Sequence, residues 1–200
     1  MTERVVNRNE YPARHAIDHK GVTIVEWKEE WGKTFKEDAK LLQKTLGGLV
    51  QDVQHIGSTS IPGLIAKPYV DILMVVTSLD NFDAQRNKLE DCGFIWCGSP
   101  FDGGRYLYNM HTIDKVGVRC HLHVVESPLT EKSRATLRFR DALLNDEKLL
   151  RDYAILKTKL AKKFSEPKDR HRYTKAKGAF VKSVLEPAQK ISSLKKIEKE

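Results

Sequence analysis

The sequence predicts an α/β fold with a helical segment at its C-terminal end, and three observations support this. Residues 69–76, YVDILMVV, are almost wholly apolar and rich in β-branched side chains, which is typical of a strand buried on both faces. Short strand patterns alternate with amphipathic helical patterns over the first 128 residues. Three successive helical patterns then fill residues 129–185.

The elements follow from the pattern in chain order. Residues 22–27 predict a first strand, and residues 29–46 predict an amphipathic helix that Gly47 and Gly48 end. Ser78 is a candidate N-cap for a later helix. The other strands are predicted at 50–56, 69–76, 94–97, 105–110 and 116–125, and the other helices at about 80–92, 129–144, 146–164 and 169–185.

Length and composition favour one cytoplasmic domain. No apolar run approaches the roughly 18 residues of a membrane helix, so we expect no membrane segment. The N-terminus lacks the apolar stretch of a signal peptide, and the three cysteines form no CxxC pair. The expected organisation is an N-terminal extension at 1–20, an α/β core at 21–128, a helical segment of the same domain at 129–187 and a charged tail at 188–200.

The positive charge is concentrated in the C-terminal third. Residues 129–200 carry 20 Lys and Arg against 10 Asp and Glu, whereas residues 1–128 carry 15 against 17. Such a field attracts nucleic acid or a nucleotide. Solvated faces of charged helices explain the same counts, and the sequence leaves both explanations open.

The strongest candidate for a functional site is a stretch in which a turn of small residues is followed by a buried carboxylate. The turn at 57–60 reads Gly-Ser-Thr-Ser, and its backbone N–H groups and hydroxyls favour a phosphate. Asp71 lies within the apolar run that follows. A buried carboxylate needs either a hydrogen-bonding or charged partner or a metal ion. Asp71 is therefore predicted either to have a structural partner or to be a metal ligand.

A second candidate is the pair His121 and His123. On a strand, residues two apart project to the same face, so both imidazoles are able to reach one metal ion. His55 precedes the turn and is predicted to line the same cleft. We therefore expect Asp71, His121 and His123 to converge, with the Gly57–Ser58 turn at the rim.

These motifs resemble the GrpB family of bacterial proteins and, more distantly, the nucleotidyltransferase superfamily with the polymerase-β-like fold. The resemblance spans roughly residues 22–187. Its motifs are HIGST at 55–59, PGL at 62–64, AKP at 66–68, DI at 71–72 and RCHLHVVE at 119–126.

The resemblance implies a nucleotidyltransferase-like mixed sheet with flanking helices, and a protein that binds a nucleotide triphosphate and transfers its nucleotidyl group. The cofactor implied is a divalent metal, Mg²⁺ or Mn²⁺, with Zn²⁺ an option at the histidine pair. Asp71 is implied as catalytic residue and, with His121 and His123, as metal ligand. The implied nucleotide-binding residues are Gly57, Ser58, Thr59, Lys67, Arg119, Lys157 and Lys177.

One position departs from the superfamily pattern. Its enzymes usually carry a second carboxylate two residues after the first, where this chain has Leu73. A catalytically degenerate nucleotide-binding or regulatory module is therefore one alternative. A basic RNA-binding accessory protein is another, and the acceptor of an active enzyme remains open between RNA, protein and a small molecule.

Overall fold

The computed structural model describes residues 22–99, 104–109 and 119–186 and contains one five-stranded sheet. The strands are β1 Val50–Ile56, β2 Tyr69–Val76, β3 Phe94–Trp96, β4 Gly104–Asn109 and β5 Arg119–Glu126. The helices are α1 Glu30–Leu46, α2 Leu79–Gln85, α3 Asn87–Glu90, α4 Glu131–Asn145, α5 Glu147–Lys163, α6 Arg170–Ala176 and α7 at 178–186.

The strand order is β1-β2-β5-β4-β3, and only β2 and β5 run parallel. The sheet is therefore mixed. Strand β2 lies between β1 and β5, so both of its backbone edges are paired. The parallel register sets Asp71 opposite His121 and Leu73 opposite His123. This alignment decides which side chains meet at the centre of the sheet.

One face of the sheet carries the main hydrophobic core. Alternate residues of β2, such as Ile72 and Met74, pack there with Leu122 of β5. Trp31 of α1 and Phe82 of α2 cover them. Because side chains alternate across a strand, Asp71 projects from the opposite face.

Polar side chains cap the N-termini of three of the helices, α2, α4 and α5. Ser78 accepts a hydrogen bond from the Asn81 amide, as an N-cap does. Thr130 and Asp146 cap α4 and α5 in the same way. In the described part of the chain, no helix is long and apolar enough to cross a membrane.

The helical segment 129–186 does not join the main core but builds two smaller ones. Ile61 and Leu64, which follow the turn after β1, pack with Leu143 of α4 and Tyr153 of α5. Val22 packs with Phe164 and Tyr173 in another cluster. The helices are thus anchored to the segment between β1 and β2, which places them beside Asp71.

The predicted α/β fold, with its mixed sheet, flanking helices and C-terminal helical segment, is confirmed. The predicted strand at 22–27 is wrong, because only an isolated bridge forms, between Val25 and Ala66. The predicted helix at 80–92 forms as the two short helices α2 and α3. The predicted extension at 1–20, the tail at 188–200 and the turn between β4 and β5 lie outside the described residues.

We expect the Leu122→Ala variant to lose about 2–5 kcal/mol of unfolding free energy, because it leaves a cavity in the core between sheet and α1. Urea denaturation measures the loss. Leu144→Ala is the matched control, since Leu144 is 48% exposed and its truncation should change stability by under about 0.5 kcal/mol. Equal losses in the two variants would contradict this assignment of the core.

Candidate functional site

The turn after β1 brings backbone against the Asp71 carboxylate. Gly57 has φ 72°, a left-handed conformation that other residues adopt at a cost. A Cβ at this position would lie 2.4 Å from Asp71 Oδ2, so there is also no room for a side chain. The Ser60 hydroxyl donates to the Gly57 carbonyl at 2.6 Å and closes the turn. Glycine is therefore required here for two independent reasons.

Asp71 is held by the histidine pair of the neighbouring strand. His121 Nδ1 lies 3.0 Å from Asp71 Oδ1, and His123 Nε2 lies 3.8 Å from the same oxygen. Burial raises the pKa of Asp71, but hydrogen bonds and charge from the two histidines outweigh burial and bring the pKa below its usual range. The ionised carboxylate only accepts hydrogen bonds, so His121 Nδ1 carries the proton.

Aromatic rings fix the orientation of both imidazoles. The Tyr69 ring stacks on His121, with ring centroids 4.8 Å apart and an interplanar angle of 15°. The Tyr106 ring is tilted against His121 at 5.7 Å and against His123 at 5.1 Å. Asp71, His121 and His123 thus lie together on one face of the sheet, and Gly57 lies against Asp71.

The donor types suit a divalent metal, but the three side chains do not enclose an ion. One carboxylate and two imidazoles form a common ligand set. The hydrogen bond from His121 closes directly on Asp71 Oδ1, and among the described residues no three His, Cys, Asp or Glu side chains are arranged around a metal position. The predicted three-ligand site is therefore not preformed. Asp71 Oδ2, on the Gly57 side, is the oxygen that remains for a cation.

Leu73 occupies the place beside Asp71 that the superfamily gives to a second carboxylate. It is buried and lies on the Asp71 face, in register with His123 of β5. No carboxylate is present at that point of the strand. The neighbouring polar group is His123 instead.

His55 and Thr59 support the turn rather than line the cleft, which corrects the prediction for both. The His55 ring stacks on Phe35 of α1 at 4.8 Å. Thr59 is buried and donates its only hydroxyl proton to the Tyr69 carbonyl at 3.0 Å, so it accepts from His55 Nε2 at 3.1 Å. These contacts place a proton on His55 Nε2.

Three of the predicted lysines lie near one another and near Asp71. Lys157 is 2% exposed and donates to the Ile65 carbonyl. Burial first, and then the charges of Lys177 and Lys67, lower its pKa to about 7, against the opposing effect of Asp71. Burial also lowers the pKa of Lys177, again with Asp71 opposing. The Arg119 side chain lies outside the described residues.

Tyr173 joins the lysines. The Nζ atoms of Lys177 and Lys67 lie 4.7 and 6.0 Å from the centroid of its ring. Tyr173 is 1% exposed, and its hydroxyl has no hydrogen-bond partner among the described residues. Its spacing from Lys177 on the helix was visible in the sequence, but its orphaned hydroxyl was not.

A groove of about 700 Å³ runs from Asp71 between two helical walls. Gly57, Ser58 and Asp71 line its floor. One wall is α4, which contributes Phe139 among others, and the other wall is formed by residues 174–186. Arg140 of α4 also lines it and donates to the Gln54 side chain at 3.0 Å and to the His55 carbonyl at 2.9 Å. The groove makes the C-terminal helices part of the site.

Several cations of the C-terminal helices are paired with nearby carboxylates. Arg138 and Arg134 both contact Glu131 of α4. The further pairs three or four residues apart are Lys148–Asp152, Arg151–Glu147, Arg172–Asp169 and Lys182–Glu186. Residues 129–200 still carry twice as many Lys and Arg as Asp and Glu, 20 against 10, so an excess of positive charge remains.

Fold and site together define an α/β protein whose central strand presents one carboxylate between a glycine turn and a lysine-lined cleft. The chain belongs to the GrpB family, whose model, GrpB protein, matches residues 21–187. The chain is 33% identical over 166 residues to the glutamate-rich protein GrpB of Alkalihalophilus pseudofirmus, covering 82% of this chain and 94% of that protein. The family recognised in the sequence is confirmed.

Solved structures give the same result. The crystal structure of the conserved protein GrpB from Enterococcus faecalis has a TM-score of 0.73 at 30% identity, covering 85% of this chain and 99% of that chain. A structure of Cid1 in complex with its short product ApU has a TM-score of 0.47 at 15% identity, covering 70% and 43%. The second likeness is too distant to bear on activity.

We expect His55 to make the protein less stable in mild acid. The pKa of His55 is lowered from 6.5 to about 4, chiefly by burial and also by the charge of Arg140, while Asp71 acts in the opposite direction. Between these two pH values the unfolded chain binds a proton that the folded protein refuses, so stability falls as the pH falls through this window. Allowing for partial exposure, the loss is about 2 kcal/mol.

The control is His55→Gln, whose side-chain amide is able to donate to Thr59 but does not titrate. Urea denaturation at pH 4.5 and pH 7 should give the wild type the larger difference by about 2 kcal/mol. Parallel pH profiles for the two proteins would show that His55 is not the titrating group.

Proposed function

We propose that this protein binds a nucleoside triphosphate with a divalent cation and transfers the nucleotidyl group to an acceptor. The observation that carries the proposal is the contact between the Gly57–Ser58 turn and Asp71 Oδ2 at the floor of a groove. A phosphate on the turn and a cation on that oxygen would be neighbours. The family resemblance implies the same pair of roles.

The lysine cluster supports a ligand with several negative charges. Lys67, Lys157 and Lys177 are close enough for their charges to act on one another. Gathering like charges beside buried tyrosines is unfavourable unless an anion is bound there. A triphosphate supplies enough charge to offset three ammonium groups, whereas a single carboxylate does not. The unpartnered Tyr173 hydroxyl offers one more donor for the ligand.

The chain's own residues have distinct roles in this proposal. His121 holds Asp71 Oδ1 through a hydrogen bond, which keeps Oδ2 directed at the turn. Ser58 and the turn backbone hold phosphate, and the lysines neutralise its outer oxygens. A divalent cation on Asp71, Mg²⁺ or Mn²⁺, would neutralise charge that develops on the transferring phosphoryl group.

A nucleotide-binding module without turnover is the second candidate. Leu73 favours it, because the strand offers a single carboxylate where two-metal chemistry uses more. An RNA-binding role is the third candidate, and it rests on the excess of Lys and Arg over Asp and Glu in residues 129–200, although four cations of α4 and α5 are paired with carboxylates. Catalytic turnover of a nucleoside triphosphate would distinguish the nucleotidyl-transferring enzyme from the binding module. Salt-dependent RNA affinity without any effect of triphosphate would favour the third.

The test is a thermal-shift screen of the four ribonucleoside triphosphates with Mg²⁺, Mn²⁺ or Zn²⁺, because a ligand of the folded state raises the melting temperature. A triphosphate and a metal together should raise it more than either does alone. Release of pyrophosphate in the presence of candidate acceptors would then report transfer. A chain that no triphosphate stabilises, with any of the metals, would refute the proposal.

Asp71→Asn should separate cation binding from structure. The substituted amide keeps an oxygen that accepts from His121, so the unliganded variant should lose only about 1 kcal/mol, the difference between charged and neutral acceptors. The extra stabilisation by Mn²⁺ with triphosphate should disappear. Melting both proteins with and without these ligands measures the two effects. Undiminished stabilisation by Mn²⁺ in the variant would remove Asp71 as the ligand.

Lys177→Ala should weaken triphosphate binding by about tenfold, since a partly buried ammonium group next to phosphate contributes on the order of 1–2 kcal/mol. Titration calorimetry measures the affinity. Lys148→Ala is the matched control, because Lys148 is 80% exposed and lies outside the groove. If the two variants bind triphosphate equally well, Lys177 does not contact the phosphates.

A further inference from the structure

Gly178 lies on the groove wall, within the last helical stretch of the described chain. It does not have the positive φ that five other glycines adopt. The Val181 amide donates to the Lys177 carbonyl across it at 3.1 Å, as in a continuing helix. Its backbone would therefore accept any ordinary residue.

Steric crowding does not require glycine at position 178 either. A Cβ built on Gly178 would have no neighbouring atom within 4 Å, in contrast to Gly57, where the Asp71 carboxylate fills that position. Gly178 is the first residue of α7, directly after Lys177, the C-cap of α6, and alanine is still the better helix former at a helical position. The packing of the described residues therefore gives no reason for the missing side chain, and the open space in front of it belongs to the groove.

We infer that Gly178 is a specificity-determining residue, whose missing side chain makes room for the nucleoside part of the ligand. The inference rests on the proposed function. Lys177 precedes Gly178 and faces the cluster proposed to hold phosphate, while Val181 follows one turn later and lines the groove. The opposite wall contributes Ala135 and Thr136, which are also small. The organic part of a triphosphate bound on the turn passes between these walls.

The inference predicts that adding a side chain at position 178 blocks nucleosides but not phosphate. Inorganic tripolyphosphate carries the phosphates without an organic part, so it serves as the probe. Gly178→Leu should weaken binding of a nucleoside triphosphate by at least about tenfold, because overpacking a formed site is costly. Its affinity for tripolyphosphate should stay within about twofold of the wild type.

Gly32→Leu is the matched control. Gly32 lies in α1, away from the groove, and a Cβ there also meets nothing within 4 Å. This variant should bind both ligands like the wild type. Gly178→Ala should raise the melting temperature, since alanine is the better helix former, and should weaken nucleoside triphosphate binding by about threefold. If Gly178→Leu no longer unfolds cooperatively, Gly178→Ala is used in its place to test the inference.

Titration calorimetry with both ligands, on all four proteins, decides the matter. Selective loss of nucleoside triphosphate binding at position 178 supports the inference. A Gly178→Leu variant that binds both ligands normally overturns it, and so does equal loss of both, which would indicate a hinge or a general disturbance. A wild-type protein that binds tripolyphosphate but no nucleoside triphosphate overturns it as well. A wild type that binds neither refutes the proposed function itself.

Discussion

The hydrogen bond from His121 to Asp71 is the interaction on which the rest of the site depends. It connects β2 to β5 at the one parallel pairing of the sheet, and the register of that pairing sets the two residues side by side. A half-buried carboxylate is costly without partners, and this contact supplies one to Oδ1. The remaining oxygen is turned to Gly57, which has no side chain to obstruct it. Strand pairing thus fixes which oxygen faces the turn.

The two faces of the sheet differ: one packs the main hydrophobic core, and the other carries the candidate site. One face of β2 is sealed by α1 and α2 in the main core, so its residues are chosen for packing. The other face carries Asp71 and is covered by helices anchored to Ile61 and Leu64, just beyond the turn. The segment just after the turn and the helices thus share the packing contacts of Ile61 and Leu64. The C-terminal segment is therefore part of the site and not an appendage.

Sequence patterns predicted the elements whose causes are local. The bounds of β1 and β2 agree with prediction, because apolar, β-branched runs leave little alternative, and the Ser78 cap was identifiable from its residue type. The strand at 22–27 failed because pairing depends on a distant partner, and only Val25 finds one in Ala66. Strand register is equally non-local, yet the alternation of His121 and His123 was sufficient to place both on one face.

The errors at the site have a common physical origin. Thr59 sits in the turn that the sequence marked for phosphate, but its hydroxyl is used by the Tyr69 carbonyl, 10 positions along the chain. His55 alternates away from Asp71 along β1 and meets Phe35 of α1 instead. In both cases a tertiary contact takes a group that the motif alone offers to a ligand. Gly178 is the opposite case, since the role that we infer for it depends on space that the described residues leave open.

The leucine beside Asp71 connects these features. With one carboxylate on the strand, and one of its oxygens held by His121, the site offers cations a single anionic oxygen from β2. In the function we propose, a triphosphate bound on the turn would then be neutralised chiefly by the protein's own cations. Lys67, Lys157 and Lys177 supply that charge beside buried tyrosines, where low polarity strengthens its effect. The lysine cluster would thus compensate for the missing carboxylate. In the function we propose, the lysines would supply part of the positive charge that a second metal ion would otherwise bring.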